Sequence, residues 1–152
     1  MSTPTTQRIG YALKRAQHAL RQTMDDSLRP LGLTTPQYAA LAVVEEAPGG
    51  SGAELARRCF VTPQTMNEIV RGLLDRSLLV RGGSPRGARD IPLSLSPKGR
   101  ALLNGAHQVV DEVEERMLES LTQSARYSLL GALRRCAEAL ERPSPSKNKI
   151  AR

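Results

Sequence analysis

The stretch "FVTPQTMNEIVRGLLDRSLLVRGG", residues 60–83, decides the fold that this sequence predicts. Apolar residues recur in it at the spacing of one buried helix face: Met66, Ile69, Val70, Leu73 and Leu74. Thr62 and Pro63 mark the start of this helix, because a threonine hydroxyl can cap free backbone N–H groups and proline suits the first helical position. The pattern therefore predicts a helix from Thr62 to about Arg76, followed by a short strand at Leu79–Arg81.

The face opposite this apolar stripe differs from a common solvated surface, because hydrogen-bonding side chains replace the usual mixture of Lys and Glu. It carries Gln64, Thr65, Asn67, Glu68 and Arg71. With about 100° between successive residues, Asn67 lies on the flank and the other four lie broadly opposite the stripe. Side chains of these types can bind base edges and phosphates, and a DNA major groove is wide enough to admit one helix. The alternative is an ordinary solvated helix surface.

A shorter helix precedes this one at the distance that a helix-turn-helix motif needs. Ser51 and Glu54 supply a Ser-x-x-Glu capping box for a helix that ends near Cys59. Only Phe60 and Val61 then remain before the next helix starts. Two helices joined by such a short turn make a helix-turn-helix, whose second helix can enter the major groove.

A β-hairpin is expected directly after the motif. The residues "GGSPRGA" that follow Leu79–Arg81 have the composition of a turn, and Ile91, Leu93 and Leu95 alternate as in a half-buried strand. Pro92 removes one backbone donor from the ladder and therefore indicates an edge strand. The hairpin makes this a winged helix-turn-helix.

The hairpin region carries three arginines, Arg81, Arg86 and Arg89. An arginine near the hairpin tip can enter a narrow minor groove, where negative potential is concentrated. The alternative role of these side chains is solubility. Arg89 is the strongest functional candidate of the three, whereas Arg81 can also simply flank the DNA backbone.

Long helices are expected on both sides of the motif. Apolar residues recur at helical period from Arg8 to about Arg29, and a second helix is expected to start at Thr35, with Thr35 as its cap. A long helix follows Ser96, and a last helix starts after a break near Thr122. The terminal helices are too long and apolar to be solvated alone, so we expect them to pack on each other or on a second copy of the chain. The fold class is therefore mainly α with a small β-hairpin.

The charge distribution indicates which segment faces a polyanion. The 152-residue chain has a net charge of +7 and a pI of about 10.1, which makes nucleic acid a reasonable partner. Residues 53–100 hold nine Lys/Arg and four Asp/Glu, a net charge of +5, whereas residues 101–141 hold four and seven, a net charge of −3. The basic segment with the motif should face DNA, and the acidic helix should face away. The Pro/Ser-rich tail, residues 142–152, is expected to be disordered.

Other classes of protein find little support in the sequence. No apolar window approaches a membrane span, and the N-terminus lacks the apolar core of a secretion signal. Cys59 and Cys136 are expected to be inert core thiols in a reducing cytosol. His18 and His107 are isolated on helices, so we expect partly exposed surface residues and neither a metal site nor a cofactor. The absence of a catalytic triad, of paired carboxylates in a plausible cleft and of a phosphate loop argues against an enzyme.

The chain resembles the MarR family of winged-helix transcriptional regulators over nearly its whole length. The resemblance lies in "LTTPQYAALAVV", "GAELARRCFVTPQTMNEIVRGLLDRSLLVR" and "SPRGARDIPLSLSPKGRALL". The wing pattern of the family is close to Asp-x-Arg, five residues, then Leu-Thr and a nearby Gly. The corresponding residues here are Arg89, Leu95, Ser96 and Gly99. Two positions depart from the family: Gly87 replaces the wing Asp, so an ion pair at the tip is missing, and Glu68 stands where relatives often carry a basic residue.

The resemblance implies a homodimer that binds double-stranded DNA. Residues 1–34 and 97–141 would form the dimerisation helices, residues 35–96 the DNA-binding lobe, and residues 142–152 the basic tail. A two-fold dimer would bind a near-palindrome with half-sites about 10 bp apart. Many relatives are repressors released by a small, often phenolic, ligand bound between the dimer helices and the lobe. Candidate ligand contacts are Tyr11, His18 and Tyr38, for which packing is the favoured alternative.

The sequence therefore predicts a cytoplasmic, sequence-specific DNA-binding regulator, and the resemblance implies that it acts as a repressor. A nonspecific architectural DNA-binding protein has the same charge and fold and is the alternative. A winged helix used for protein assembly is a further alternative, which a monomer without DNA affinity would favour.

Overall fold

The computed structural model describes residues 3–82 and 92–143 and confirms a mainly helical fold with a small antiparallel hairpin. The elements are α1 (Ile9–Leu28), α2 (Thr35–Glu46), α3 (Gly52–Arg58), α4 (Pro63–Asp75), β1 (Leu79–Arg81), β2 (Leu93–Leu95), α5 (Pro97–Leu118) and α6 (Gln123–Glu141). Two 3-10 turns lie at Thr5–Gln7 and Arg29–Leu31. Within the described ranges, no helix is long and apolar enough to cross a membrane.

Two compact units make up the chain, residues 1–114 and residues 115–152. The first unit contains α1 to α4, the hairpin and most of α5, and the second contains the end of α5 and all of α6. The four functional segments expected from the sequence stay a prediction, because compactness and function need not divide a chain at the same residues.

The helix starts were largely predictable from Ser and Thr, but the cap of α2 was predicted one residue too late. Thr34, not Thr35, caps α2: its hydroxyl accepts from the N–H of Gln37 at 3.3 Å, and the Gln37 side chain accepts from the N–H of Thr34 at 3.0 Å. Thr35 has a different partner, since both its N–H and its hydroxyl donate to Asp25 on α1. Because the Asp25 carboxylate of α1 binds Thr35, the cap of α2 is Thr34, one residue earlier than predicted.

Only one of the two hydrogen bonds of the capping box expected for α3 is present. The Ser51 hydroxyl accepts from the N–H of Glu54 at 3.2 Å, but the Glu54 carboxylate pairs with Arg57 one turn further along the helix. The cap of α4 is Thr62, as the sequence indicated, and the cap of α6 is Thr122, at the break that the sequence placed before the last helix. Each hydroxyl accepts an N–H three residues later at 3.2 Å.

The core of the first unit lies between the helices and the root of the hairpin. Its largest fully buried side chains come from five elements and one turn. They are Leu28, Leu41, Met66, Leu73, Leu78, Leu79 and Leu103. No aromatic residue is among them, which agrees with the 3% aromatic content of the chain. Packing of α4 against this core fixes which of its faces remains exposed.

The hairpin pairs Leu79 with Leu95 and Arg81 with Leu93 in antiparallel register. The N–H of Gly82 donates to the carbonyl of Pro92 at 2.8 Å, so the pairing continues one step beyond the strands with proline as acceptor only. Ile91, which the sequence placed in the second strand, lies outside the described residues.

At the base of the hairpin, α5 approaches Leu78, the residue before β1, so closely that only glycine fits. The Ser96 hydroxyl accepts from the N–H of Gly99 at 2.9 Å and caps the helix. A Cβ atom on Gly99 would lie 2.0 Å from the carbonyl oxygen of Leu78, a distance that backbone atoms do not tolerate. This contact gives a physical reason for the glycine that ends the wing pattern.

The expectation that both cysteines lie in the core was wrong for Cys136, which is exposed, whereas Cys59 is half-buried. Cys136 lies on α6, and none of the residues of α6 is buried. Cys136 is in helical phase with Leu133 and Leu140, but periodicity identifies an apolar face and not what covers it. In this single chain that face is open to solvent.

Candidate nucleic-acid interface and adjacent cavity

The two faces of α4 differ as the sequence indicated. Its apolar face buries Met66, Val70 and Leu73 completely or nearly so. The opposite face is exposed along about two turns of the helix. The exposed residues are Gln64, Thr65, Asn67, Glu68 and Arg71. The structure therefore brings all five candidates of this helix onto one solvent-facing surface, which we call the α4 polar face.

The first turn of α4 is ordered by Thr62. The Thr62 hydroxyl accepts from the N–H of Thr65 at 3.2 Å and lies 3.0 Å from the hydroxyl of the same residue. This pair fixes the start of the helix, where the helix dipole concentrates positive charge. A helix end of this kind is favourable for a phosphate group, and Gln64 projects from the same turn.

The turn between α3 and α4 has an unusual backbone. Phe60 has φ of +56°, in the left-handed region that bulky residues rarely adopt, and its side chain is 91% exposed. The N–H of Phe60 donates to the carbonyl of Arg57 at 3.3 Å, and the N–H of Val61 donates to that of Ala56 at 3.1 Å. The turn is thus hydrogen-bonded to α3 and leads directly into the cap of α4.

The wing is described only at its root. Arg81 is exposed at the end of β1, opposite Leu93 of β2. Arg86 and Arg89, the other two candidate arginines, lie outside the described residues. The root of the wing follows α4 after a three-residue turn, so Arg81 belongs to the same continuous segment of chain as the α4 polar face.

A cavity of about 290 Å³ lies between α1, the start of α2 and the α3–α4 turn. Most of its walls are apolar, and among its lining residues, all of them described, Arg21 alone is charged. The lining residues are Gln17, Leu20, Arg21, Met24, Thr35, Pro36, Ala39, Cys59, Phe60 and Val61. An apolar cavity with a few polar groups is the common form of a small-molecule site.

One edge of this cavity carries the contact between α1 and α2. The Asp25 carboxylate accepts from the N–H of Thr35 at 2.8 Å and from its hydroxyl at 2.6 Å. These hydrogen bonds lower the pKa of Asp25, and the Arg21 guanidinium, 3.7 Å away, lowers it further. Asp25 therefore stays ionised and holds Arg21 near the cavity. Cys59 is on another wall, where burial raises the pKa of its thiol and disfavours the reactive thiolate.

The three residues expected to contact a ligand are not among those that line this cavity. Tyr11 is exposed on the N-terminal half of α1, and His18 is exposed one residue beyond Gln17, which does line the cavity. Tyr38 has its own partners on α2 and α5. The role of these three residues in binding stays a prediction.

Tyr38 belongs to a half-buried polar network that sequence reasoning missed. Its hydroxyl lies 3.0 Å from His107 Nδ1, and His107 Nε2 lies 2.9 Å from the Glu45 carboxylate. Burial raises the pKa of Tyr38, and the carboxylates of Asp111 and Glu114 add to the rise. His107 thus links α5 to α2 and is not a simple surface residue. No local pattern could reveal a pairing across 69 positions of sequence.

In the part of the chain that the structure describes, no group of three or more His, Cys, Asp or Glu residues lies close enough together to hold a metal ion.

Comparison with known proteins agrees with this geometry. A sequence model of the MarR family matches residues 31–90. An HTH-type transcriptional repressor of Mycobacterium tuberculosis is 41% identical over 114 residues, which cover 75% of this chain and 82% of the relative. The fold is also similar to that of a MarR family protein of Mycobacterium tuberculosis in complex with salicylic acid, with a TM-score of 0.72, 36% identity and coverage of 89% and 97%.

A second solved relative is the transcriptional repressor CouR, bound to a 23-mer DNA duplex. It superposes with a TM-score of 0.79 at 31% identity and covers 90% of this chain and 99% of its own. The resemblance noted in the sequence is therefore confirmed by both sequence and structure. The exposed polar face of α4, the short turn before it and the hairpin after it are the winged helix-turn-helix of this family. The chain belongs to the MarR family of transcriptional regulators.

Proposed function

We propose that this protein is a transcriptional repressor that binds a near-palindromic operator as a homodimer and is released by a small aromatic carboxylate. The α4 polar face carries this proposal: five hydrogen-bonding side chains are exposed on a helix whose other face is fixed in the core. A helix anchored in this way presents its polar side chains in a defined orientation. Recognition of base edges by hydrogen bonds requires such a defined orientation.

The DNA contacts divide by chemistry. Gln64 and Thr65, in the first turn of α4, have the donors and acceptors that base edges match, and Asn67 and Glu68 can add to that recognition. Arg71, one turn further along, suits a phosphate oxygen. Arg81 at the wing root would flank the DNA backbone, and Arg89 or Arg86 would reach the minor groove.

The homodimer is supported by exposed apolar side chains on the terminal helices. Ile9 on α1 and Leu140 on α6 are 83% and 87% exposed. Further large apolar side chains are exposed on the same two helices: Tyr11, Leu13, Tyr127, Leu129, Leu130 and Leu133. Such surface is costly in water and marks an interaction site. We assign residues 1–34 and 97–141 to dimerisation and residues 35–96 to DNA binding, and residues 142–152 follow as a basic tail.

The effector site would be the cavity between α1, α2 and the α3–α4 turn. Its volume of about 290 Å³ is near the lower end of the range for small-ligand pockets, which suits a single aromatic ring. Arg21 offers a cation for a carboxylate, and Leu20 and Met24 offer apolar contact for a ring. The solved relative from Mycobacterium tuberculosis binds salicylic acid and, in another crystal structure, p-aminosalicylic acid.

The proposal includes no catalytic activity and places the protein in the cytoplasm. The alternative of a nonspecific architectural binder remains distinct, because it would bind random duplexes as well as any selected one.

Selection of bound duplexes from a random pool tests this function. We expect a near-palindromic consensus that the protein retains in competition with random duplex, and release when salicylate is added. Salicylamide, which has the ring but no carboxylate, is the matched control ligand. If the selected duplexes share no consensus, sequence-specific regulation is contradicted. If the protein stays bound to the consensus duplex in the presence of salicylate and of p-aminosalicylate, the effector assignment is contradicted.

A further inference from the structure

Phe60 combines two unfavourable features that neighbouring residues do not share. Its backbone is left-handed, which is strained for a side chain of this size, and its ring is almost wholly exposed to water. Glycine would remove both costs. Ser77 is the only other described non-glycine residue with positive φ, at +57°, and its small polar side chain suits such a turn better. Strain of this kind persists where a functional constraint holds it.

The position of Phe60 connects the cavity with the DNA-binding helix. Phe60 lines the cavity together with Cys59 and Val61, and Leu20 and Met24 of α1 line it too. It also lies two residues before Thr62, the cap of α4. The occupant of the cavity and the first turn of α4 are therefore separated by this short turn alone.

We propose that Phe60 is the residue through which an aromatic effector in the cavity acts on α4. This inference rests on the proposed function, since it requires that a ligand binds in the cavity. The exposed ring closes against the ligand ring, because an aromatic pair buries apolar surface and gains from ring contact. Phe60 is a specificity-determining residue in this scheme, and it favours planar aromatic ligands over aliphatic carboxylates of the same charge.

The hydrogen bonds of the turn explain how closure would reach the DNA-binding face. The N–H of Phe60 and that of Val61 are bonded to α3, and the N–H of Met66 is bonded to the carbonyl of Thr62 at 3.0 Å. A shift of Phe60 toward α1 therefore moves the cap of α4, and Gln64 and Thr65 lie in the turn that follows. Because α4 is packed in the core, a displacement at its start misaligns the α4 polar face with the groove.

Three variants of the full-length protein test this role: Phe60→Gly, Phe60→Leu and Ser77→Gly. Phe60→Gly removes ring and strain, Phe60→Leu keeps apolar bulk without a ring, and Ser77→Gly relieves similar strain outside the cavity. The first measurement is the ratio of dissociation constants for a selected operator duplex with and without saturating salicylate, each variant normalised to its own ligand-free value. The second is salicylate affinity without DNA, by calorimetry, beside cyclohexanecarboxylate as the aliphatic probe.

For wild type and Ser77→Gly we expect salicylate to weaken DNA binding by about tenfold or more, a typical coupling between two sites. In Phe60→Gly the ratio of dissociation constants should approach one, and the preference for salicylate over cyclohexanecarboxylate should disappear. Phe60→Leu should keep part of the weakening of DNA binding by salicylate but should lose the preference for salicylate over cyclohexanecarboxylate. An unchanged ratio in Phe60→Gly, or an equal loss in Ser77→Gly, overturns the role of Phe60 while the proposed function stands. A wild-type protein that salicylate does not release overturns the effector assignment and this inference together.

Discussion

Two helices of this chain, α4 and α6, have the same kind of N-terminal cap but differ in whether their apolar faces are buried. Each is capped by a threonine whose hydroxyl accepts an N–H three residues later. The apolar side chains of α4 are buried in its own chain, including Met66 and Leu73, whereas α6 buries none of its residues. The local sequence specifies a helix in both cases. Whether the apolar face is covered depends on what lies elsewhere, in the same chain for α4 and, on our proposal, in a second copy for α6.

The largest expected effect tests the covered side of this comparison. Met66→Ala should lower the free energy of unfolding by about 2–5 kcal/mol, because Met66 is fully buried and its truncation leaves a cavity. Urea denaturation at pH 7 measures this loss. Leu140→Ala, at a side chain exposed in the single chain, is the matched control and should change the stability of the monomer by about 0.5 kcal/mol or less. Equal losses in a monomeric sample would show that α6 is covered within its own chain.

A second prediction tests the uncovered side. Leu133→Asp on α6 should weaken dimer association by about 2 kcal/mol or more, since a charge would enter an apolar interface. Sedimentation across a range of protein concentrations measures the association constant. Ser120→Asp, in the exposed turn before α6, adds the same charge and should leave association nearly unchanged. A monomeric wild type would contradict the proposed dimer.

A third prediction compares the exposed arginines of the two helices. Arg71→Ala should reduce the slope of log affinity against log salt by about one, because one phosphate contact is lost. Arg134→Ala removes the same charge from an exposed position on α6 and should leave the slope unchanged. Fluorescence anisotropy of a labelled operator in increasing salt measures this slope for each variant. A loss of slope in Arg134→Ala would place DNA against α6 and contradict the orientation of the complex.

The smallest expected effect concerns the contact between α1 and α2. Hydrogen bonds from Thr35 hold the pKa of Asp25 below its usual value near 4, so its ionised form stabilises the fold above that pH. The contribution is lost as the pH falls through the lowered pKa. Asp25→Ala should cost about 1 kcal/mol at pH 7 and progressively less in acid.

Urea denaturation at several pH values between 7 and 2 measures this difference. Asp26→Ala is the control, because Asp26 is exposed and pairs only with Arg29 in the next turn among the contacts described. A difference between wild type and Asp25→Ala that does not shrink in acid would show that lost packing, not charge, causes the change.

The elements of this fold were predictable where the signal is local. Thr62-Pro63 and Ser96 mark helix starts, and the alternation of Leu93 and Leu95 marks a strand, because capping and side-chain alternation act within a few residues. The α4 polar face could be predicted for the same reason, since the helical period alone places the apolar and polar residues of this segment on opposite sides of the helix.

Features that depend on distant residues were not predictable in this way. The true cap of α2 differs from expectation because Asp25 occupies Thr35. The pairing of Tyr38 with His107 joins two helices far apart in sequence. Likewise, the strain at Phe60 is a property of backbone geometry, and a phenylalanine in the sequence does not reveal it.

The close approach of Gly99 to the Leu78 carbonyl has a consequence for genetics. A side chain at Gly99 would force α5 away from the base of the hairpin, although both Gly99 and Leu78 are buried. Alleles that lose repression should therefore arise here as readily as on the recognition surface, and they should resist rescue by compensating changes in charge. In a screen for derepressed colonies, a cluster of substitutions at this buried contact would show that repression depends on the position of the wing as well as on its side chains.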